Sequence, residues 1–239
     1  MKARDCRRKA LCHLGLFPLV LAVACTASAC RGPRYVLIDG GAHEGETVLG
    51  FVNSELFAQH KWSIVCFEPN AELTPKILKG SRVTVVNKAL WDRDGEIEFH
   101  VSREASLGGS VVDSYIRAPG VRTVKVPCID LGQWLARNYR KSDVIYVKLD
   151  VEGAEYAILT KMLRDGTMAF VDKLYVEFHG AQQAEALGRS AEAVLAERRK
   201  DYELIEAITS LGIPVSIHDP GEPQGRYFTF NPEKYGLRW

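Results

Sequence analysis

The sequence predicts an α/β domain with a mostly parallel sheet, on three observations. Short apolar, β-branched runs recur at 35–38 (YVLI), 63–67 (SIVCF), 83–86 (VTVV), 144–147 (VIYV) and 173–176 (KLYV), as strands buried on both faces do. Helical patterns separate most of these runs, the alternation that βαβ units require. Four of the runs lead into acids or glycines, at Asp39, Glu68, Asp150 and Glu177. Ligands in open α/β sheets sit outside the carboxyl ends of the strands, so one sheet edge is marked as a site.

The remaining elements follow in chain order. Helices are predicted at 47–60, 71–78, 131–138, 154–163 and 184–211, the last interrupted near Gly188. Two β-like runs, 96–101 and 122–127, flank a Gly/Ser-rich segment at 105–120 that reads as a mobile loop over a site. The runs 213–217 and 226–230, around the turn at Pro220-Gly221, predict that an antiparallel hairpin finishes the sheet.

A chain of 239 residues suffices for one domain with a full core and is short for two. At 46% hydrophobic and 26% charged, it is neither disordered nor collagen-like. The net charge of +1 sums two unlike parts. Residues 1–30 carry Lys2, Arg4, Arg7, Arg8 and Lys9 against Asp5, whereas 31–239 hold 26 basic and 29 acidic residues. An acidic body argues against nucleic acid as the main partner.

Residues 1–30 read as a separate leader and 31–239 as the domain. No charge falls between Lys9 and Arg31, and small residues close the run at Ala27, Ser28 and Ala29. These are the parts of a signal peptide, and the run is also long enough for a signal anchor. Ala27-Ser28-Ala29-Cys30 further resembles a bacterial lipobox. The expected location is therefore a membrane or the secretory pathway, or the cytoplasm if the leader is not a true signal. Four of the six cysteines lie in the leader, and Cys66 sits inside an apolar run, so a reduced core thiol is expected there rather than a disulfide framework.

The first strand runs into 39–45 (DGGAHEG). Glycines at Gly40, Gly41 and Gly45 allow a sharp turn and close approach of a ligand to backbone, and an acid at the strand end suits a cationic or amino-acid-bearing one. The dinucleotide pattern Gly-x-Gly-x-x-Gly is not matched. Glu68, ending the second strand, is placed to accept hydrogen bonds from ribose hydroxyls, though a helix-capping acid is the plainer alternative. Asp150, Glu152 and Glu155 crowd the end of the fourth strand, where a helix dipole favours acids even without a function. Glu177 and His179 end the fifth strand, and His179 there is a candidate general base.

In their order and spacing, 36–45 (VLIDGGAHEG), 67–70 (FEPN), 87–90 (NKAL), 128–131 (CIDL) and above all 147–155 (VKLDVEGAE) resemble the FkbM-type methyltransferases of the class I S-adenosylmethionine-dependent superfamily. The resemblance covers about 35–180, and departs from the family at His43, where asparagine is usual. It implies a Rossmann-like fold with helices on both faces of a seven-stranded sheet whose last strand is antiparallel. It implies that Asp39, Gly40, Gly41 and Gly45 shape the pocket for the methionine part of S-adenosylmethionine, that Glu68 holds the ribose, and that Asn87 to Leu90 lie near the adenine. His179, Glu177 and Asp150, in that order, are then expected to serve as base or to position the acceptor. Asp150, Glu152, Glu177 and His179 are also donor types that suit Mg or Mn, but no metal is assigned.

The expected activity is methyl transfer to oxygen of a glycan or small molecule. A nicotinamide-dependent oxidoreductase would use the same sheet and Glu68 but needs the absent glycine pattern. An exported, non-catalytic cofactor-binding lipoprotein is the reading from outside enzymology.

Overall fold

Along Tyr35–Gly40 (β1) the side chains alternate between two cores: Val36 and Ile38 face one, Leu37 the other. Trp62–Phe67 (β2) repeats this, with Val65 and Phe67 on the first side and Ile64 and Cys66 on the second. A strand buried on both faces needs cover on both faces. The computed structural model describes residues 32–77, 79–102, 109–111, 121–218 and 227–229, of which all but Gly32 lie in one compact unit, Pro33–Trp239. The leader expected at 1–30 lies outside the described residues, as does most of 105–120. No helix among the described residues is long and apolar enough to cross a membrane.

Val83–Val86 (β3) pairs parallel with β2, and β1 pairs parallel with both β2 and Val144–Leu149 (β8). Lys173–Val176 (β9) and Val215–His218 (β10) extend the parallel ladder, and Tyr227–Thr229 (β11) closes it antiparallel. The resulting order is β11-β10-β9-β8-β1-β2-β3. The mixed α/β class, the mostly parallel sheet and the terminal antiparallel pairing are thus as the sequence predicts.

Between β3 and β8 the chain builds a second sheet. Ala89–Trp91 (β4), Gly95–Ser102 (β5), Gly109–Ser110 (β6) and Val121–Asp130 (β7) form it in the order β4-β7-β5-β6. The two β-like runs pair with each other, from Gly95 against Cys128 to Ser102 against Val121. Within the segment expected as a loop, Gly109 and Ser110 form a strand instead.

Helices depart from expectation where local hydrogen bonding overrides the apolar period. The single helix expected at 47–60 is two, Glu46–Val52 (α1) and Glu55–Gln59 (α2). Ser54 divides them: its extended backbone ends one, and its hydroxyl accepts from Phe57 N as N-cap of the next. At 71–77 there is no α-helix but turns and a 3-10 turn, Thr74–Lys76, since Asn70 Oδ1 takes Glu72 N and Pro75 has no N–H to give. Leu131–Asn138 (α3) starts on the Asp130 cap, and Glu155–Arg164 (α4) follows β8. The last helical stretch is interrupted at Gly188, φ 64°, between Gly180–Ala186 (α5) and Ala191–Ser210 (α6).

Val48 of α1 packs on Leu37, Ile64 and Cys66; Leu135 of α3, Ile158 and Leu159 of α4 and Ile205 and Ile208 of α6 pack on the opposite face. Each such fully buried side chain contributes roughly 1.5–3 kcal/mol by leaving water. Cys66 and Cys128 are free and buried, as expected of core thiols, and burial pushes the Cys66 thiol up to about 12.

Candidate functional site

From β1 the chain moves outward to β2 and β3, then returns to β8 on the other side of β1. The edge between β1 and β8 is therefore a topological switch point, where open α/β sheets bind ligands. Packing requires glycine at Gly41, and packing or backbone conformation restricts the other two. Gly41 has φ 74°, and a Cβ on it would lie 1.7 Å from the Asp150 carbonyl oxygen. A Cβ on Gly40 would meet Leu90 Cδ1 at 2.7 Å. Gly45, φ 93°, caps α1 with its own Cβ direction 3.2 Å from Ile77 Cα.

Glu68, at the end of β2, is buried and holds the loop in place. Its Oε2 accepts from His43 N at 2.9 Å and its Oε1 from Asn70 N at 2.8 Å. Burial pushes its carboxyl up, against the downward pull of those two amides. Each oxygen keeps lone pairs beyond the one so used, so capping and ligand binding are compatible here. Asn87 donates from Nδ2 to the Glu68 carbonyl at 3.2 Å, which fixes the β3 end beside it. Leu90 is buried in the main core against Gly40. His43 takes φ 48°, a left-handed conformation that asparagine adopts more easily, and its ring Nδ1 lies 3.0 Å from Glu46 Oε1. Its backbone N–H is the group that ties the loop to Glu68.

Asp39 is fully buried, and its oxygens receive no hydrogen bond among the described residues. Its counterion is Lys148, one strand away in register, with Nζ 3.4 Å from Oδ1. Lys148 is itself 4% exposed. It donates to the Gly41 carbonyl at 2.7 Å and lies 3.2 Å from Asp150 Oδ2. Burial pushes the Asp39 carboxyl up, partly offset by this lysine. The acid read as a partner for a cationic ligand thus has a cation from its own chain.

The β8 and β9 ends bring Asp150, Glu152, Glu177 and His179 together. His179 Nδ1 lies 3.1 Å from Glu155 Oε1, and its Nε2 is 3.5 Å from Glu152, 3.6 Å from Asp150 and 3.7 Å from Glu177. Burial alone would lower the imidazole, but the Glu155 bond and the surrounding carboxylates raise it to about 10. Burial raises Glu152 to about 7, against the pull of His179. Glu155 is fully buried and structural: it also accepts from Val151 N and Gly153 N at 2.8 and 2.9 Å, the cap reading of a first-turn acid. Glu152 adopts φ 54°, and its carbonyl accepts from Ser110 Oγ at 2.6 Å and Gln183 Nε2 at 3.1 Å. A strand of the second sheet and α5 therefore both hold this turn.

Sequence reasoning missed Lys148, Ser110 and Gln183. A lysine closing the apolar run 144–149 was the available signal for the first; the other two depend on long-range packing that no local pattern carries.

No curated protein matches the chain. A solved structure, the methyltransferase FkbM from Methylobacillus flagellatus KT, is similar at 15% identity with a TM-score of 0.34, over 58% of this chain and 32% of that one. The chain spans about a third of that protein's length. The family model described as the methyltransferase FkbM domain matches residues 39–206, from the glycine loop to within α6. On that match, which covers most of the chain and every residue of the switch-point site, the protein belongs to the FkbM methyltransferase family.

Proposed function

We propose that the chain transfers a methyl group from S-adenosylmethionine to a hydroxyl oxygen of a glycan or small molecule. The observation that carries this reading is the division of one sheet edge. The β1–β2 side bears the glycine loop tied to Glu68, and the adjoining β8–β9 side bears a polar cluster around His179. The first suits the donor and the second the acceptor. Methyl transfer from a sulfonium is an in-line displacement, so alignment and exclusion of water are the main demands. The new C–O bond forms as the S–CH3 bond breaks, S-adenosylhomocysteine leaves neutral, and the hydroxyl proton passes to a base.

Asp150 and Glu177 are the residues for that base. Their side chains are 29% and 15% exposed against 7% for His179, whose Nδ1 is committed to Glu155. His179 therefore stands behind the carboxylates and positions them, a change from its place as first choice for the base. Glu68 supports the ribose assignment through its remaining lone pairs, and Asp39 supports the loop from beneath, through Lys148.

Calorimetric titration of the full chain with S-adenosylmethionine and with NAD tests the donor. S-adenosylmethionine is expected to bind, and Glu68→Gln to weaken it about ten- to a hundredfold, the loss of charge-assisted hydrogen bonds. NAD binding without S-adenosylmethionine binding would replace this reading with the oxidoreductase one.

A further inference from the structure

We propose that Asp150, Glu152, Glu177 and His179 form a binding site for one divalent cation of the Mn2+ and Mg2+ class. Among the described residues, Asp150, Glu152 and His179 each present a ligand atom within 4.8 Å of the others. On one octahedral ion, adjacent ligand atoms lie about 3 Å apart and opposite ones about 4 Å. Movements of under about 1 Å close this set on an ion. Glu177, 3.7 Å from the same nitrogen, supplies a fourth donor.

The histidine is what separates this cluster from an ordinary group of surface acids. His179 is 6% exposed, and its Nε2 points among three carboxylates 3.5–3.7 Å away, at ion-pair range; a bound ion takes the place of the Nε2 proton among the same three acids. Its other nitrogen is held by Glu155, which two backbone amides pin in turn. A carboxylate fixing one imidazole nitrogen so that the other faces the ion is the usual support of a metal-bound histidine. Three hard carboxylates with one imidazole suit Mn2+, and Mg2+ less well because of the nitrogen. The carboxylates are the partly exposed members of the set, so an ion reaches it from their side.

The use of such an ion rests on the methyl-transfer reading: a hydroxyl acceptor taken as a ligand ionises more easily. Its binding does not rest on that reading and is measured separately. Full-length chain freed of metal by chelator is titrated with Mn2+, and the free-ion electron paramagnetic resonance signal is followed. One Mn2+ per chain is expected. The double variant Asp150→Asn/Glu152→Gln should lose at least tenfold in affinity while remaining folded by circular dichroism, with its melt lowered by the loss of Asp150 from Lys148. If that variant fails to fold, the wild-type histidine spectrum decides: Mn2+ should broaden the His179 ring signals ahead of the other five histidines. No uptake of Mn2+, equal uptake by a folded variant, or broadening at other histidines first overturns the proposal. S-adenosylmethionine titrated in the same samples keeps the outcomes apart. Donor binding without Mn2+ binding removes the metal and leaves methyl transfer, and the reverse result does the opposite.

Discussion

Lys148 is the residue on which the switch point turns. It is the buried cation shared by Asp39 on β1 and Asp150 after β8, and it also holds the Gly41 carbonyl. Removing one partner of a buried ion pair leaves an uncompensated charge, at a cost of about 3–5 kcal/mol. Lys148→Met should therefore lower the unfolding free energy by about that amount in urea titrations, and Asp39→Asn on that background should restore at least half of it. A neutral Lys148→Met would mean that packing rather than charge joins the two strands. At this scale the sequence showed which residue types gather but not their partners. Asp39 and Glu68 were legible as acids at strand ends, because the apolar runs stop there. Lys148 facing Asp39, and Glu155 turning inward to His179, depend on strand order and on a helix face, which only the fold supplies.

The β1 loop and the interrupted last helix give opposite tests of what a glycine does. Gly41 and Gly188 both have positive φ, but a Cβ on Gly41 meets the Asp150 carbonyl at 1.7 Å whereas one on Gly188 meets nothing within 4 Å. Gly188→Ala should cost only the conformational term, about 1–2 kcal/mol. Gly41→Ala should cost clearly more and should also abolish donor binding, since strand β1 and the turn after β8 must part. Equal losses in denaturant titrations of the two variants would show that the close approach at Gly41 is not required. The same contrast explains which elements could be read in advance. Strands buried on both faces leave an unbroken apolar run, so β1, β2 and β8 were legible to within two residues; β3, a half-exposed edge strand rather than one buried on both faces, and β9 were legible from their short apolar, β-branched composition. The division between α1 and α2 was not, because one side-chain hydroxyl at Ser54 decides it. The second sheet was seen only as two β-like runs: its pairing joins β5 to β7 across residues far apart in sequence.

At the scale of the whole molecule, the parallel order of five central strands turns a scattered set of motifs into one edge. Glycines after β1, Glu68 after β2, Asp150 after β8 and His179 after β9 are far apart in the chain and adjacent in the sheet. That much the sequence conveyed, since parallel strands must point their carboxyl ends the same way. The proposed division of that edge into a donor side and an acceptor side was already implied by the family resemblance; the topology adds that the two sides adjoin where β1 meets β8. The acidic excess of 31–239 also acquires a location, since several of its acids surround His179. The most direct test of the central claim is transfer of labelled methyl from S-adenosylmethionine to a panel of glycan and small-molecule hydroxyl acceptors by the full-length chain. The account predicts label in an O-methyl ether of at least one acceptor, falling at least tenfold with Glu68→Gln at subsaturating donor. Folded protein that transfers no label to any acceptor and binds NAD in place of S-adenosylmethionine would contradict it.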